Sequence, residues 1–300
     1  MNILTLTNVS KSFGEKQILK DISFVVREHS IFGFIGQNGA GKTTTMKMIL
    51  GLMRMDCGEI NVCGKRVSFG QNETNRYIGY LPDVPEFYDF MTPNEYLILC
   101  GSITGMTKKA AMERADELLE IVGLAEAKKR IGGFSRGMKQ RLGIAQALFN
   151  RPKLLICDEP TSALDPVGRK ELLELLLQVK KETTVIFSTH ILSDVERICD
   201  EVAFLNNGEI VLQGSLDKIK SKSIGKDFEI EFQNRKDMAL FMSKYNNGKG
   251  SSALRLRYER KSDEDILDMM NYMSVNKICP QRIEKSEANL EDLFMEVVGR

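Results

Sequence analysis

The stretch "GQNGAGKTT", Gly36 to Thr44, follows the apolar run "SIFGFI" and fits the spacing G-x-x-x-x-G-K-[ST]. Between a strand and a helix, that spacing makes a phosphate-binding loop. Gly36, Gly39 and Gly41, with Asn38 between them, let backbone N–H groups approach oxygens that a Cβ would keep away. Lys42 then offers a point charge to the β- and γ-phosphates, Thr43 a hydroxyl to Mg²⁺, and Thr44 completes the motif. Further along, "LLICDEP" ends an apolar run in two adjacent carboxylates. They permit a division of labour: Asp158 for the metal shell, Glu159 to orient or deprotonate an attacking water. "FSTH" brings His190 to the end of a third apolar run. A second anion-suited stretch, "FSRGMKQR" (Phe134–Arg141), has a Ser and a Gly ahead of a basic helix start, where unpaired N–H groups gather.

The elements around these residues follow from periodicity and turn chemistry. "ILTLTNVSKSF", "ISFVV", "SIFGFIG", "EINVCG" and "RYIGYLP" read as strands with turn-rich residues between them. At "TPNEYLILCG" the texture turns helical: Thr92 caps, Pro93 takes the first helical position and Glu95 closes a capping box. A second helix is expected from Thr107 to about Val122, ended by Gly123. Beyond the insert, "KLLICD" and "TTVIFSTH" flank the amphipathic "GRKELLELLLQVKKE", the pattern of a parallel sheet buried on both faces. "EVAFLNNGEIVLQG" reads as a hairpin turning at Asn207-Gly208.

Residues 217–226 are lysine-rich and read as a linker into a C-terminal unit, 227–300. There Phe228, Ile230 and Phe232 share one strand face, as do Leu254, Leu256 and Tyr258. Glu229 and Glu231 on one strand would oppose Arg255 and Arg257 on an antiparallel neighbour. Helices are expected near 236–245, 263–274 and 289–298, with Met269, Met270 and Met273 as core.

Composition narrows the field. Forty-two Lys and Arg against 41 Asp and Glu leave a net charge of +1 in 300 residues, so no basic excess argues for nucleic acid as a partner. No run approaches the length of a membrane-spanning helix, and the N-terminus lacks a signal-peptide core, which points to the cytoplasm. Six scattered cysteines without CxxC spacing read as reduced and structural, with no metal cluster.

Taken in order, the phosphate loop, helical insert, "FSRGMKQR", "LLICDEP", "SALD" and the histidine resemble the ATP-binding subunit of ABC transporters over about residues 1–216. The resemblance implies an α/β P-loop NTPase core with an antiparallel β subdomain and a helical insert at about 86–150, joined to a small α+β C-terminal domain. It implies ATP and Mg²⁺ as ligands, with ATP hydrolysis coupled to transport. "FSRGMKQR" is similar to the family signature, so Ser135 and Gly137 would face the γ-phosphate held by a second copy in a head-to-tail dimer. Asp165 would lie at the dimer contact and His190 would sense the γ-phosphate. Phe13 falls where the family stacks an aromatic ring on adenine, though a core Phe reads equally well.

The implied partner is a separately encoded permease, which would hold the chain at the inner face of the cell membrane. The "YLPD" loop and C-terminal extension resemble subunits of bacterial ABC-2 type exporters of drugs, peptides or lipids. Phe87, Tyr88 and Phe90 are either a docking patch for that permease or core of the insert. A single phosphate loop, no long heptad run and an "NKIC" lacking the guanine-reading Asp speak against ribosome-, DNA- and GTP-directed alternatives. The chain departs from the family pattern at Phe134, Arg136 and Met138 of the signature. It also has Asp83 where Gln is common: either a direct Mg²⁺ ligand that cannot donate a hydrogen bond, or a turn residue.

Overall fold

The computed structural model describes residues 1–223, 227–258, 261–286 and 290. The chain divides into two units, Met1–Leu216 and Asp217–Arg300.

The first unit opens with β1 (Asn2–Phe13), β2 (Lys16–Arg27), β3 (Ile31–Ile35), α1 (Lys42–Ile49), β4 (Cys57–Val62), β5 (Lys65–Arg66) and β6 (Ile78–Leu81). The insert contributes α2 (Pro93–Ile103), α3 (Lys108–Ile121) and α4 (Arg136–Leu148). It is followed by β7 (Leu154–Asp158), α5 (Pro166–Val179), β8 (Thr184–Thr189), α6 (Leu192–Ile198), β9 (Glu201–Asn206) and β10 (Glu209–Ser215). Six strands form one sheet in the order β10-β9-β3-β8-β7-β6, and four form an antiparallel sheet in the order β2-β1-β4-β5.

In the larger sheet β9, β3, β8, β7 and β6 run parallel, with β10 antiparallel at the edge. Every residue of β3, β7 and β8 is buried, as unbroken apolar strands covered on both faces must be. The β9–β10 hairpin turns at Asn207 and Gly208 with φ of 48° and 82°, the left-handed pair that an Asn-Gly turn requires. One apolar core joins the two sheets: Leu4, Phe24 and Ile60 from the antiparallel sheet pack with Phe34, Leu154 and Ile186.

The insert starts as its residues dictate. Thr92 accepts from Glu95 N while Glu95 accepts from Thr92 N, with Pro93 at the first helical position. We expect Thr92→Ala to remove about 1 kcal/mol of stability, readable as a shift of a few degrees in thermal unfolding of the full chain. Arg114 of α3 is 9% exposed and donates to Leu148 O (2.8 Å) and Phe149 O (3.3 Å). It thus clasps the carbonyl end of α4, where orphan acceptors gather.

Of the lysine-rich stretch expected as a linker, the described part is helical, as α7 (Leu216–Ser223), which starts at the last residue of the first unit. Leu216 and Ile219, three residues apart, are both buried, an apolar pair that outweighs the surrounding lysines. Then come β11 (Asp227–Phe232), α8 (Arg235–Lys244), β12 (Lys249–Ser252), β13 (Arg255–Tyr258), α9 (Asp263–Val275) and β14 (Pro280–Ser286). Their βαββαβ succession and antiparallel order β12-β13-β11-β14 give a ferredoxin-like sheet.

The expected charge pairing is present: Glu229 faces Arg257 and Glu231 faces Arg255, with Arg255 Nη2 2.9 Å from Glu231 Oε2. Phe241 fills the core, its ring ringed by Phe232, Tyr245, Tyr258 and Tyr272 at centroid distances of 4.9–6.1 Å. Met269 and Met273 are core, but Met270 is 37% exposed, because consecutive helical residues cannot face the same way. The helix expected at 289–298 lies outside the described residues. Among the cysteines, Cys157 and Cys199 are buried and Cys57 and Cys279 exposed; burial raises the thiol pKa of both buried ones, leaving them unreactive.

Candidate active site

Parallel register builds the site. Ile35 pairs with Thr189 and Asp158 with Ser188, so β3, β8 and β7 end level and the loops leaving them converge, as at ligand sites of open α/β sheets. Gly36 N donates to Thr189 O (3.4 Å) and Glu159 N to Ser188 O (3.0 Å), tying both loops to the end of β8.

Two glycines are required where they stand. A Cβ at Gly36 would fall 2.6 Å from Leu205 O, and one at Gly41, at φ +112°, would fall 2.6 Å from a Leu19 methyl. Gly41 caps α1 without a side-chain acceptor, and no acidic residue lies in the first turn. The amides and the positive end of the helix dipole are thus left for an anion. Gly39, also left-handed at φ +84°, has open space on its Cβ side.

Lys42 is 5% exposed and donates to Gly36 O (2.6 Å) and Gln37 O (3.2 Å). Its Nζ stands 3.0 Å from Glu159 Oε1. That contact lies outside hydrogen-bond angles, since Oε1 has no hydrogen-bond partner among the described residues; charge alone holds it. Glu159 Oε2 lies 2.9 Å from His190 Nδ1. The Glu159 backbone is left-handed at φ 48°, a conformation costing a non-glycine residue about 1–3 kcal/mol. Thr43 Oγ1 donates to Asp158 Oδ2 (2.7 Å) and Ser188 Oγ to Asp158 Oδ1 (2.6 Å). These hard oxygen donors suit Mg²⁺. Burial, and then the charges of Asp158 and Asp83, push the Tyr80 phenol up to about 12, so it stays protonated as a donor.

Lys42, Thr43, Asp158, Glu159 and His190 are thus one cluster. Asp83 takes a different direction: its Oδ1 accepts from Ser162 Oγ (2.9 Å) and lies 3.4 Å from Arg136 Nη2. Among the described residues no bond joins its carboxylate to Thr43 or Asp158. Ser135 caps α4, accepting from Met138 N (3.2 Å), and Asp165 caps α5, accepting from Gly168 N (3.2 Å). Ser135 and Asp165 are exposed. Gly137 lies next to Leu164 of "SALD", its ideal Cβ 3.9 Å from Leu164 Cδ2.

Phe13 is 50% exposed at the end of β1, with Lys11 Nζ 5.4 Å above its ring, so it is not a core residue. The hairpin it belongs to also carries Ile18 and Leu19 against Gly41. The aromatic trio divides. Phe87 packs edge-on against Tyr96, while Tyr88 and Phe90 are 55% and 66% exposed.

The sequence reading missed Ser188, Ser162, Gln140 and Asp194. Period-two alternation puts Ser188 on His190's side of β8, a signal present in "FSTH". Asp194, buried, accepts from Thr161 Oγ1 (2.7 Å) and pairs with Arg169 Nε (2.5 Å). This holds the loop after Glu159 to α5 and α6, and no local pattern announces it. A cavity of about 300 Å³ bounded by Arg114, Leu118, Pro152 and Val179 lies at the other end of β7, away from the cluster.

Comparison with known proteins places this geometry. The ABC transporter family profile matches residues 19–162. The chain is 39% identical to an uncharacterized ABC transporter ATP-binding protein, YxlF of Bacillus subtilis (strain 168), over 99% of both chains. It is 36% identical to the bacitracin transport ATP-binding protein BcrA of Bacillus licheniformis, over 99% of this chain and 97% of that one. It is 34% identical to the linearmycin resistance ATP-binding protein LnrL of B. subtilis (strain 168), over 99% of both. Among solved structures, an ATP-binding subunit of an ABC transporter is 35% identical with a TM-score of 0.65, covering 73% of this chain and 92% of that one. With a phosphate loop, adjacent acids and a histidine on such a fold, and relatives matched end to end, the chain belongs to the ATP-binding subunits of ABC transporters, which are ATPases.

Proposed function

We propose that this subunit drives a separate membrane permease that exports a drug, peptide or lipid-like compound. The end-to-end likeness to a bacitracin transport protein carries this reading, because it includes the C-terminal unit as well as the ATPase core. A linearmycin resistance protein is similar over the same span. No helix among the described residues is long and apolar enough to cross a membrane, so the passage would lie in the partner. Val84, Tyr88 and Phe90, all more than half exposed, offer the permease an apolar docking patch beside the ATP site, since aromatics often anchor interfaces. Through it the subunit would sit on the inner face of the cell membrane.

Within the subunit, the amides of Gly39, Gly41 and the first turn of α1, with Lys42, hold the phosphates, and Phe13 stacks on adenine. Thr43 and Asp158 hold Mg²⁺, which when bound neutralises charge on the phosphates. Glu159 orients and deprotonates water, and His190 fixes Glu159 and reads the γ-phosphate. Ser135 and Gly137, with Asp165 beside them, present α4's first turn to ATP on a second copy. Separate from the local cluster, with Ser135 and Asp165 exposed, they leave each site incomplete until the copies pair.

The test is a pull-down of the Glu159→Gln variant from gently solubilised native membranes. A polytopic membrane protein in stoichiometric amount is the expected result. A ribosome, a DNA complex or a purely soluble partner would overturn the permease assignment.

A further inference from the structure

Asp83 and Arg136, two departures from the family pattern, meet in space. Asp83 Oδ1 lies 3.4 Å from Arg136 Nη2 and accepts from Ser162 Oγ at 2.9 Å. Ser162 N in turn donates to Glu159 O at 3.2 Å. The main-chain oxygen of Asp83 accepts from Gln140 Nε2 at 2.6 Å. Gln140 is 1% exposed and its Oε1 has no hydrogen-bond partner among the described residues, a buried acceptor left over in the side chain that holds Asp83's backbone. One residue thus joins the loop after β6, the first two turns of α4 and the loop after Glu159.

Charge explains why the two departures come together. Asp158, Glu159 and Asp83 are three acids in one region; Lys42 stands beside Glu159, and Arg136 beside Asp83. A glycine at 136 would leave Asp83 an unpaired third negative charge near the other two. A glutamine at 83 would leave Arg136 without its counter-ion. Either change alone breaks a balance that the two together keep.

We infer that Asp83 is a positioning residue rather than a metal ligand. Paired with Arg136 and Ser162 inside one subunit, it sets the first turn of α4, and so Ser135 and Gly137, relative to Glu159. The inference rests on the reading that this turn faces ATP on a second copy.

The experiment is steady-state ATP turnover by the full chain over a range of MgATP, for wild type, Asp83→Gln, Arg136→Gly, both together, and the charge-swapped Asp83→Arg/Arg136→Asp. Thermal unfolding of each variant confirms folding, which half-exposed positions should preserve. Each single change should lower kcat about fivefold, the scale of a partly exposed ion pair, with KM within about twofold since contacts to the subunit's own ATP are untouched. The swapped pair should return to within about twofold of wild type, and the double Gln/Gly variant should be no worse than either single. Independent multiplication of the single effects, no recovery on swapping, or a tenfold rise in KM would overturn it. Glu159→Gln run alongside separates the failures. If ATP brings the Glu159→Gln chain to a dimer on size-exclusion chromatography but the swap does not recover, only the Asp83 assignment falls. If ATP yields no such dimer, the underlying reading falls with it.

Discussion

Glu159→Gln is expected to lower ATP turnover by roughly 10²–10⁴-fold, the range for loss of a general base, while ATP binding persists. Glutamine has nearly the same shape, so the left-handed backbone at 159 and its amide bond to Ser188 O should survive. What disappears is the negative charge 3.0 Å from Lys42 Nζ and 2.9 Å from His190 Nδ1. An amide accepts no proton from water, so the chemical step stops. Lys42 loses its internal counter-ion, and its ammonium becomes freer to pair with phosphate, so affinity for ATP should hold or rise. Turnover, nucleotide binding and size-exclusion chromatography with ATP would be measured together. The expected set is no turnover, retained binding and an ATP-dependent dimer; turnover at the normal rate would remove Glu159 from its role.

Asp194→Ala should be the most damaging change away from the phosphates. The carboxylate is 4% exposed and bonded on both oxygens, to Arg169 Nε and Thr161 Oγ1. Truncation leaves a hydroxyl without its acceptor and a guanidinium without its counter-ion. Arg169 retains access to water, with its side chain 29% exposed, so the cost should be about 3 kcal/mol, at the lower end for a broken buried pair. In a unit of this size that lowers the unfolding midpoint by roughly 10 °C. Asp194→Asn, which can still accept from Thr161, should fall between. Equal melting of all three proteins would show that the pair contributes nothing. Turnover should drop too, since Thr161 lies two residues beyond Glu159.

The legible parts of this chain were those encoded locally. The phosphate loop, the capping box at Thr92, the Asn207-Gly208 turn and the Glu/Arg strand faces each combine residue type with short spacing, and each has its expected geometry. What escaped was tertiary. The Asp83–Arg136 contact joins residues 53 apart, and Asp194 meets Thr161 across 33; neither has a periodicity. At 216–223 lysine density masked two apolar residues at helical spacing, Leu216 and Ile219. Phe13 stood balanced between core and surface until burial decided, because one aromatic at a strand end carries no period.

The Arg114 clasp gives α4 a mechanical character. Anchored at its carbonyl end by α3 and carrying Ser135 and Gly137 at the other, this thirteen-residue helix is a rigid lever about 20 Å long. A swing of about 5° around the clasp would carry Ser135 through about 1.7 Å at the tip of that lever. That travel is more than half the length of an N–H···O hydrogen bond. On the proposed reading, in which this turn faces ATP on a second copy, a rotation of that size would be enough to make or break Ser135's contact with a phosphate.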